Sequence, residues 1–171
     1  MATQQSATGR QATLAAVGFL VLAVAGIVLL SHREAGTGAN NSSGPWTSAQ
    51  LEQPEDLLRE LADPNHANRP IVVCVGFGTL FRSAHIPGAV FHGSAATPQG
   101  LADLKAWAQD IPRSKTVVLY CGCCPFSRCP TVQPAFQTLN SMGFTHLKVL
   151  SIPTDFATDW VEKGYPIEKG R

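Results

Sequence analysis

Charge is scarce in this sequence and almost balanced. The 171 residues include 13 Lys and Arg against 12 Asp and Glu, so the formal net charge is only +1. Without a basic surplus, the chain has no electrostatic basis for binding nucleic acid or an anionic membrane surface. Cysteine is limited to five residues, an odd number that excludes a disulfide framework pairing all of them.

The N-terminal region has no charged residue between Arg10 and Arg33. Residues 14–30 consist only of Leu, Ala, Val, Gly, Phe and Ile, and with residues 12 and 13 they approach the ~20 residues that span a bilayer. We predict a transmembrane anchor over 12–30 after a short tail, 1–11. The alternative is a signal peptide cleaved after Ala25, which would leave an apolar N-terminus.

The anchor predicts a single-pass membrane protein whose domain is exported to the periplasmic or extracellular side, with the lipid bilayer as a partner of residues 12–30. Secretion after signal-peptide cleavage is the alternative. Residues 31–46 are rich in Gly, Asn, Ser and Ala, which predicts a flexible linker. The remaining residues, 47–171, are long enough for one folded domain.

Apolar runs alternate with helical patterns along the domain. The runs at 71–75 and 116–120 are continuous rather than alternating, which is typical of strands buried on both faces, and residues 145–150 are predicted to form another strand. Helical spacing is found after Pro54, after Thr97 and after Thr131, and a short final helix is predicted over 155–163. The fold class is therefore α/β with a central parallel sheet, and its ligands bind beyond the carboxyl ends of the strands.

The cysteine-rich stretch lies where the pattern changes from strand to helix. It follows the run at 116–120 directly and ends just before the helix that begins after Thr131. Free N–H groups and the dipole at a helix N-terminus favour an anion such as a thiolate or a persulfide. This loop contains four of the five cysteines: Cys121, Cys123, Cys124 and Cys129.

Three motifs make residues 47–169 resemble the rhodanese-like family. Residues 84–89 read Ala-His-Ile-Pro-Gly-Ala, 118–121 form a strand ending in cysteine, and 160–166 read Trp-Val-Glu-Lys-Gly-Tyr-Pro. The resemblance implies a three-layer fold and transfer of sulfane sulfur without a cofactor. It implies that Cys121 carries the sulfur as a persulfide and that Arg128 binds a small anionic donor such as thiosulfate. A thiol is the implied acceptor, and the dipole and Arg128 would lower the pKa of Cys121.

The chain departs from this family at three places. Cys74 and Gly76 stand where the family has an Asp-x-Arg pair, the active loop is longer, and residues 151–155 replace a Gly-Gly turn. The active site is therefore expected to be rebuilt. Cys74 is interpreted as a core residue, and His85 as a side chain that holds its turn by a hydrogen bond.

The cysteines allow three alternatives to persulfide chemistry. Cys121 and Cys124 form a Cys-x-x-Cys pair, which suits thiol–disulfide exchange, with a redox protein as partner. A disulfide between Cys124 and Cys129 would only stiffen the loop. The third alternative is a Zn or Cu site whose ligands are all four thiols: Cys121, Cys123, Cys124 and Cys129.

Overall fold

The computed structural model describes residues 44–170 of the chain. The predicted tail, the predicted anchor and nearly all of the predicted linker lie outside these residues. Among residues 44–170, no helix has the length and apolar character needed to cross a bilayer.

Five parallel strands form one sheet with the order β1-β5-β4-β2-β3. The strands are β1 (Leu51–Glu52), β2 (Ile71–Cys74), β3 (Val90–Phe91), β4 (Val117–Tyr120) and β5 (Leu147–Leu150). All four pairings are parallel, which confirms the predicted parallel sheet. The central strand β4 is buried along its whole length, and this explains its unbroken run of apolar residues.

Four α-helices connect the strands: α1 (Pro54–Leu61), α2 (Gly78–Ser83), α3 (Pro98–Trp107) and α4 (Val132–Ser141). Helix α2 and strand β1 were not predicted, because a six-residue helix and a two-residue strand are too short to show a period. The predicted final helix over 155–163 is instead one π-helical turn, Ala157–Val161. Short 3-10 turns lie at Ser48–Gln50, Ala108–Asp110 and Phe126–Arg128.

The two faces of the sheet bury different side chains. Helices α3 and α4 cover the face that includes Val73, Leu119 and Cys121, which we call the thiol face. Helices α1 and α2 and the π-helical turn cover the opposite face. Tyr120, Phe156 and Trp160 follow one another across it with ring centroids 5.6 and 5.9 Å apart, and we call it the aromatic face. The fold therefore has the predicted three layers.

The N-terminal end of the described chain packs against the thiol face. Trp46 is buried, and its ring centroid lies 5.0 Å from that of Phe136 on α4. Gly44 lies so close to the cysteine loop that a Cβ there would come within 2.3 Å of the Ser127 carbonyl oxygen. The packed part of the chain therefore begins at or before Trp46.

Candidate functional site

The cysteine loop begins where β4 ends and finishes where α4 begins. Cys121 directly follows Tyr120, and Thr131 directly precedes the first residue of α4. The sequence predicted this strand-to-helix position correctly. The side chain of Cys121 is only 4% exposed, so its sulfur faces the loop and the core rather than solvent.

Backbone hydrogen bonds tie the loop to the segment that follows β5. The Gly122 carbonyl accepts a hydrogen bond from the Phe156 N–H at 3.1 Å, and the Phe126 N–H donates to the Ile152 carbonyl at 2.9 Å. Gly122 has a φ of +91°, a conformation that other residues rarely adopt. This turn brings Cys123 back towards Cys121, and the 3-10 turn Phe126–Arg128 then returns the chain to α4.

Four sulfur atoms converge inside the loop. The Sγ atoms of Cys121, Cys123, Cys124 and Cys129 all lie within 4.8 Å of one another. Cys121 and Cys129 are buried, whereas Cys123 and Cys124 are half-buried. The loop thus has an inner pair of thiols and an outer pair that solvent reaches.

Short contacts run through the cluster by way of Cys123. Its Sγ lies 3.1 Å from that of Cys121 and 3.2 Å from that of Cys124. Cys123 therefore stands between the two members of the Cys-x-x-Cys pair. All five cysteines are free thiols here, including Cys124 and Cys129, for which a structural disulfide was one alternative.

Cys129 is the thiol that the loop stabilises as an anion. Its Sγ lies within 4.8 Å of the Cys121 Sγ and 3.2 Å from the Thr131 hydroxyl. The backbone N–H groups of Thr131 and Val132, at the start of α4, also favour the charged form of this sulfur. In order of importance, the Cys121 thiol, the Thr131 hydroxyl and these N–H groups lower the pKa of Cys129 to about 5, against the opposing effect of burial.

Cys121 and Cys124 are held as neutral thiols. The interaction with the neighbouring Cys129, together with burial, raises the pKa of Cys121 far above its ordinary value. Burial and a hydrogen bond with Cys123 raise the pKa of Cys124 to about 12. The expectation of a lowered pKa on Cys121 was therefore wrong, because the neighbouring Cys129 and burial both favour its neutral form.

Arg128 lies on the exposed outer side of the 3-10 turn. Among residues 44–170, the salt bridges do not include its guanidinium. Sequence reasoning did not single out Thr131, Gly122 or Phe126 for the site. Only Thr131 had a recognisable signal, since Thr is a favoured residue directly before a helix.

Cys74 and His85 lie on the aromatic face. The Cys74 thiol donates to the Cys121 carbonyl oxygen at 3.8 Å, and burial raises the pKa of Cys74 to about 11. This agrees with its interpretation as a core residue. The His85 Nδ1 lies 2.8 Å from the Phe81 carbonyl oxygen in helix α2, and the backbone of His85 pairs with Glu168. The predicted role of its side chain in holding the His-Ile-Pro-Gly turn stays a prediction.

A cavity of about 160 Å³ lies beside the start of the loop. Its lining is mainly apolar and includes Cys121 and Gly122 from the loop, together with Tyr120, Phe156 and Val161. Most of these residues belong to the aromatic face, whereas the Cys121 side chain packs with the core of the thiol face. Among the four clustered thiols, Cys123 and Cys124 are the more exposed pair.

No family model matches the chain, and no curated protein matches it closely enough to be a relative. Solved structures do resemble it. The BH2092 protein from Bacillus halodurans is 18% identical with a TM-score of 0.55, covering 71% of this chain and 77% of its own.

Two structures of the Alr3790 protein from Anabaena sp. are similar in the same way. A crystal structure is 20% identical with a TM-score of 0.53, covering 70% of this chain and 92% of its own. A solution structure of its rhodanese-like domain is 22% identical with a TM-score of 0.51, covering 70% of this chain and 79% of its own. At this low sequence identity, the structural similarity establishes the fold alone: the domain has the rhodanese-like fold.

Proposed function

We propose that this rhodanese-like domain transfers sulfane sulfur, which Cys121 carries as a persulfide. The observation behind the proposal is the position of Cys121 directly after the central strand, with its Sγ 3.1 Å from that of Cys123 and within 4.8 Å of those of Cys124 and Cys129. Cys129 supports it, because the neighbouring Cys121 and Thr131 side chains lower its pKa to about 5. A thiolate is the form of cysteine that attacks sulfur. The fold supports a domain of the sulfurtransferase type, and the cysteine loop supplies the nucleophile.

The charge of the pair resides mainly on Cys129, but the stronger nucleophile is Cys121. The two sulfurs lie within 4.8 Å of each other and each influences the protonation of the other, so in this proposal a proton passes from Cys121 to Cys129. The nucleophilicity of a thiolate falls as its pKa falls. The small population with the charge on Cys121 is therefore the more reactive one, and Cys129 acts as the acceptor of its proton.

The transfer consists of two displacements that conserve atoms and electrons. In the first, the Cys121 thiolate attacks the outer sulfur of a donor persulfide, R–S–SH. A new S–S bond forms, the donor's S–S bond breaks, and R–S⁻ leaves and takes up the proton held by Cys129. In the second, an acceptor thiolate attacks the outer sulfur of the Cys121 persulfide, and Cys121 leaves as a thiolate.

The outer thiols determine where the sulfur goes next. Cys123 lies 3.1 Å from Cys121 and is half-buried, so it is the first acceptor that a persulfide on Cys121 meets. If Cys123 attacks the outer sulfur, the sulfane sulfur moves towards solvent. If it attacks the inner sulfur, a Cys121–Cys123 disulfide forms and HS⁻ leaves.

In this proposal, Arg128 binds the sulfur donor and does not itself carry sulfur. Its exposed guanidinium would hold an anionic donor such as thiosulfate. Replacing it in Arg128→Gln is expected to raise KM for thiosulfate and to leave KM for a neutral organic polysulfide unchanged. Equal changes in KM for both donors would show that Arg128 does not bind the anionic donor.

The test of the function is intact mass spectrometry of the full-length, reduced, metal-free protein after brief exposure to a persulfide donor. We expect the mass to rise by one sulfur atom, with the adduct absent in Cys121→Ser. Cys74→Ala is the matched control, because it removes a buried thiol outside the cluster, and it should retain the adduct. An adduct that persists in Cys121→Ser, or no adduct on the wild type, would overturn the proposal.

We also propose that residues 12–30 hold the domain at a membrane. This rests on the sequence alone, since those residues lie outside the described part of the chain. Full-length protein is expected to pellet with membranes and to resist alkaline carbonate, whereas a chain lacking residues 1–43 should stay in the supernatant. A processed N-terminus after Ala25 would favour secretion instead.

A further inference from the structure

Four thiols at one point form a donor set for a metal ion. A tetrahedral ion with thiolate bonds of about 2.3 Å separates its sulfurs by about 3.8 Å. The two shortest contacts in the cluster are 3.1 and 3.2 Å, and every remaining pair lies within 4.8 Å. The largest separation between two sulfurs therefore exceeds the tetrahedral value by no more than about 1 Å.

The loop is built so that all four thiols can turn inward. Gly122, with its φ of +91°, places Cys121 and Cys123 on the same side of the chain. The 3-10 turn returns Cys129 to them, and the anchors at Phe126 and Gly122 fix both arms of the loop to the segment after β5. This folding brings together a Cys-x-Cys-Cys segment and Cys129, the four thiols that the sequence offered as one alternative, a metal site.

The surroundings offset the negative charge that four thiolates would leave around a divalent ion. The Thr131 hydroxyl, directly before the first residue of α4, lies 3.2 Å from the Cys129 sulfur. Hydrogen bonds of this kind to coordinating sulfur are the usual second layer of a metal site. The outer pair, Cys123 and Cys124, provides the route by which the ion enters.

We propose that Cys121, Cys123, Cys124 and Cys129 bind one tetrahedral, thiophilic divalent cation of the Zn²⁺ type. Four protein ligands complete the coordination, so the site is closed in the manner of a structural zinc site. Binding turns the neutral thiols into thiolates and releases their protons to solvent. The metal occupies the same sulfurs that carry sulfane sulfur, so the metal-loaded domain is inactive in sulfur transfer and the metal-free domain is the active form.

Cobalt titration of the full-length, reduced, metal-free protein tests the site directly. We expect one equivalent of Co²⁺ to bind, with the visible bands of a tetrahedral ion and thiolate-to-cobalt charge-transfer bands, and Zn²⁺ to abolish both. Cys129→Ser and Cys121→Ser should lose the charge-transfer bands or show them weakened. Cys74→Ala should keep one equivalent with an unchanged spectrum.

Alkylation of the wild type gives a second measurement that needs no variant. Cys123 and Cys124 are half-buried and should react in the metal-free protein, lose that reaction with Zn²⁺, and regain it with a chelator. An octahedral cobalt spectrum, binding of Cu(I) alone, or equal alkylation with and without Zn²⁺ would overturn the proposal. None of these results bears on the persulfide adduct, which is measured on metal-free protein, so the two proposals fail separately.

Discussion

Two cysteines at the same edge of the sheet lie on opposite faces. Cys74 ends β2 and pairs in register with Tyr120, so Cys121 lies one residue further along the neighbouring strand. Because side chains alternate along a strand, this single step places Cys74 on the aromatic face and Cys121 on the thiol face. The same type of side chain thus has a packing role on one face and a chemical role on the other.

Hydrogen-bond donors, rather than burial, account for the difference in pKa between the thiols of the two faces. Cys74 and Cys129 are 2% and 5% exposed, yet the pKa of Cys74 rises to about 11 while that of Cys129 falls to about 5. Burial alone disfavours a thiolate. A hydrogen bond to a charged group contributes about 1.5–3 kcal/mol, so the several donors around Cys129 outweigh its desolvation.

The largest expected effect compares these two cysteines in sulfur transfer. Cys121→Ser removes the attacking sulfur, so we expect kcat/KM to fall by about 10³-fold or more. Cys74→Ala should change it little, since Cys74 reaches the site only through the Cys121 carbonyl. The measurement is steady-state transfer from a persulfide donor to a thiol. A comparable loss in both variants would mean that the two faces are not functionally distinct.

The next effect compares an aromatic side chain on each face. Trp160 on the aromatic face is fully buried, and Trp160→Ala should lower the free energy of unfolding by about 3–5 kcal/mol. Phe126 lies within the cysteine loop and is slightly exposed, so Phe126→Ala should lower the free energy of unfolding by less. It should instead speed the alkylation of Cys121 and Cys129. Denaturant unfolding measures the loss of stability, and mass mapping of alkylated cysteines measures their exposure. A larger loss of stability in Phe126→Ala, or faster alkylation in Trp160→Ala, would contradict these roles.

The pH dependence of stability should have opposite signs for the two thiols. The folded pKa of Cys129, about 5, lies below that of an unfolded thiol, about 8.5, so the unfolded chain binds more protons between these values. The reduced wild type should therefore gain stability relative to Cys129→Ser as pH rises from 5 to 8.5, by at most about 1.4 kcal/mol per pH unit.

Cys74 should behave in the opposite way above pH 8.5. Its folded pKa of about 11 lies above the unfolded value, so the wild type should lose stability relative to Cys74→Ala as pH rises. Urea unfolding at several pH values measures both differences. Parallel curves for the wild type and either variant would show that the corresponding thiol titrates normally.

The smallest expected effect concerns Gly122, whose carbonyl connects the cysteine loop to Phe156. A Cβ there would meet the Phe156 Cβ at 3.3 Å, and the φ of +91° adds backbone strain, so Gly122→Ala should cost about 1–2 kcal/mol. Gly164→Ala is the matched control, because Gly164 has a φ of +76° and open space around its Cα. Both variants should lose stability, but only Gly122→Ala should weaken persulfide formation.

The sequence alone determined the layers of this domain and the position of the cysteine loop. Unbroken apolar runs such as Val117–Tyr120 require burial on both sides, and parallel strands buried in this way need helices on both faces. The motif around His85 and the cysteine after β4 indicated the rhodanese-like fold, which the similar structures confirm. These features are local or periodic in the chain, so they can be recognised from the sequence without the structure.

Only the tertiary structure decided which thiol holds the charge and which thiols meet. The donors to Cys129 come from the start of α4, and the neighbours of Cys121 come from a loop whose path depends on anchors after β5. Distances between sulfurs depend on that path and not on their spacing in the chain. Short elements such as β1 and α2 likewise depend on contacts with residues that are distant in the sequence, so only the structure identified them.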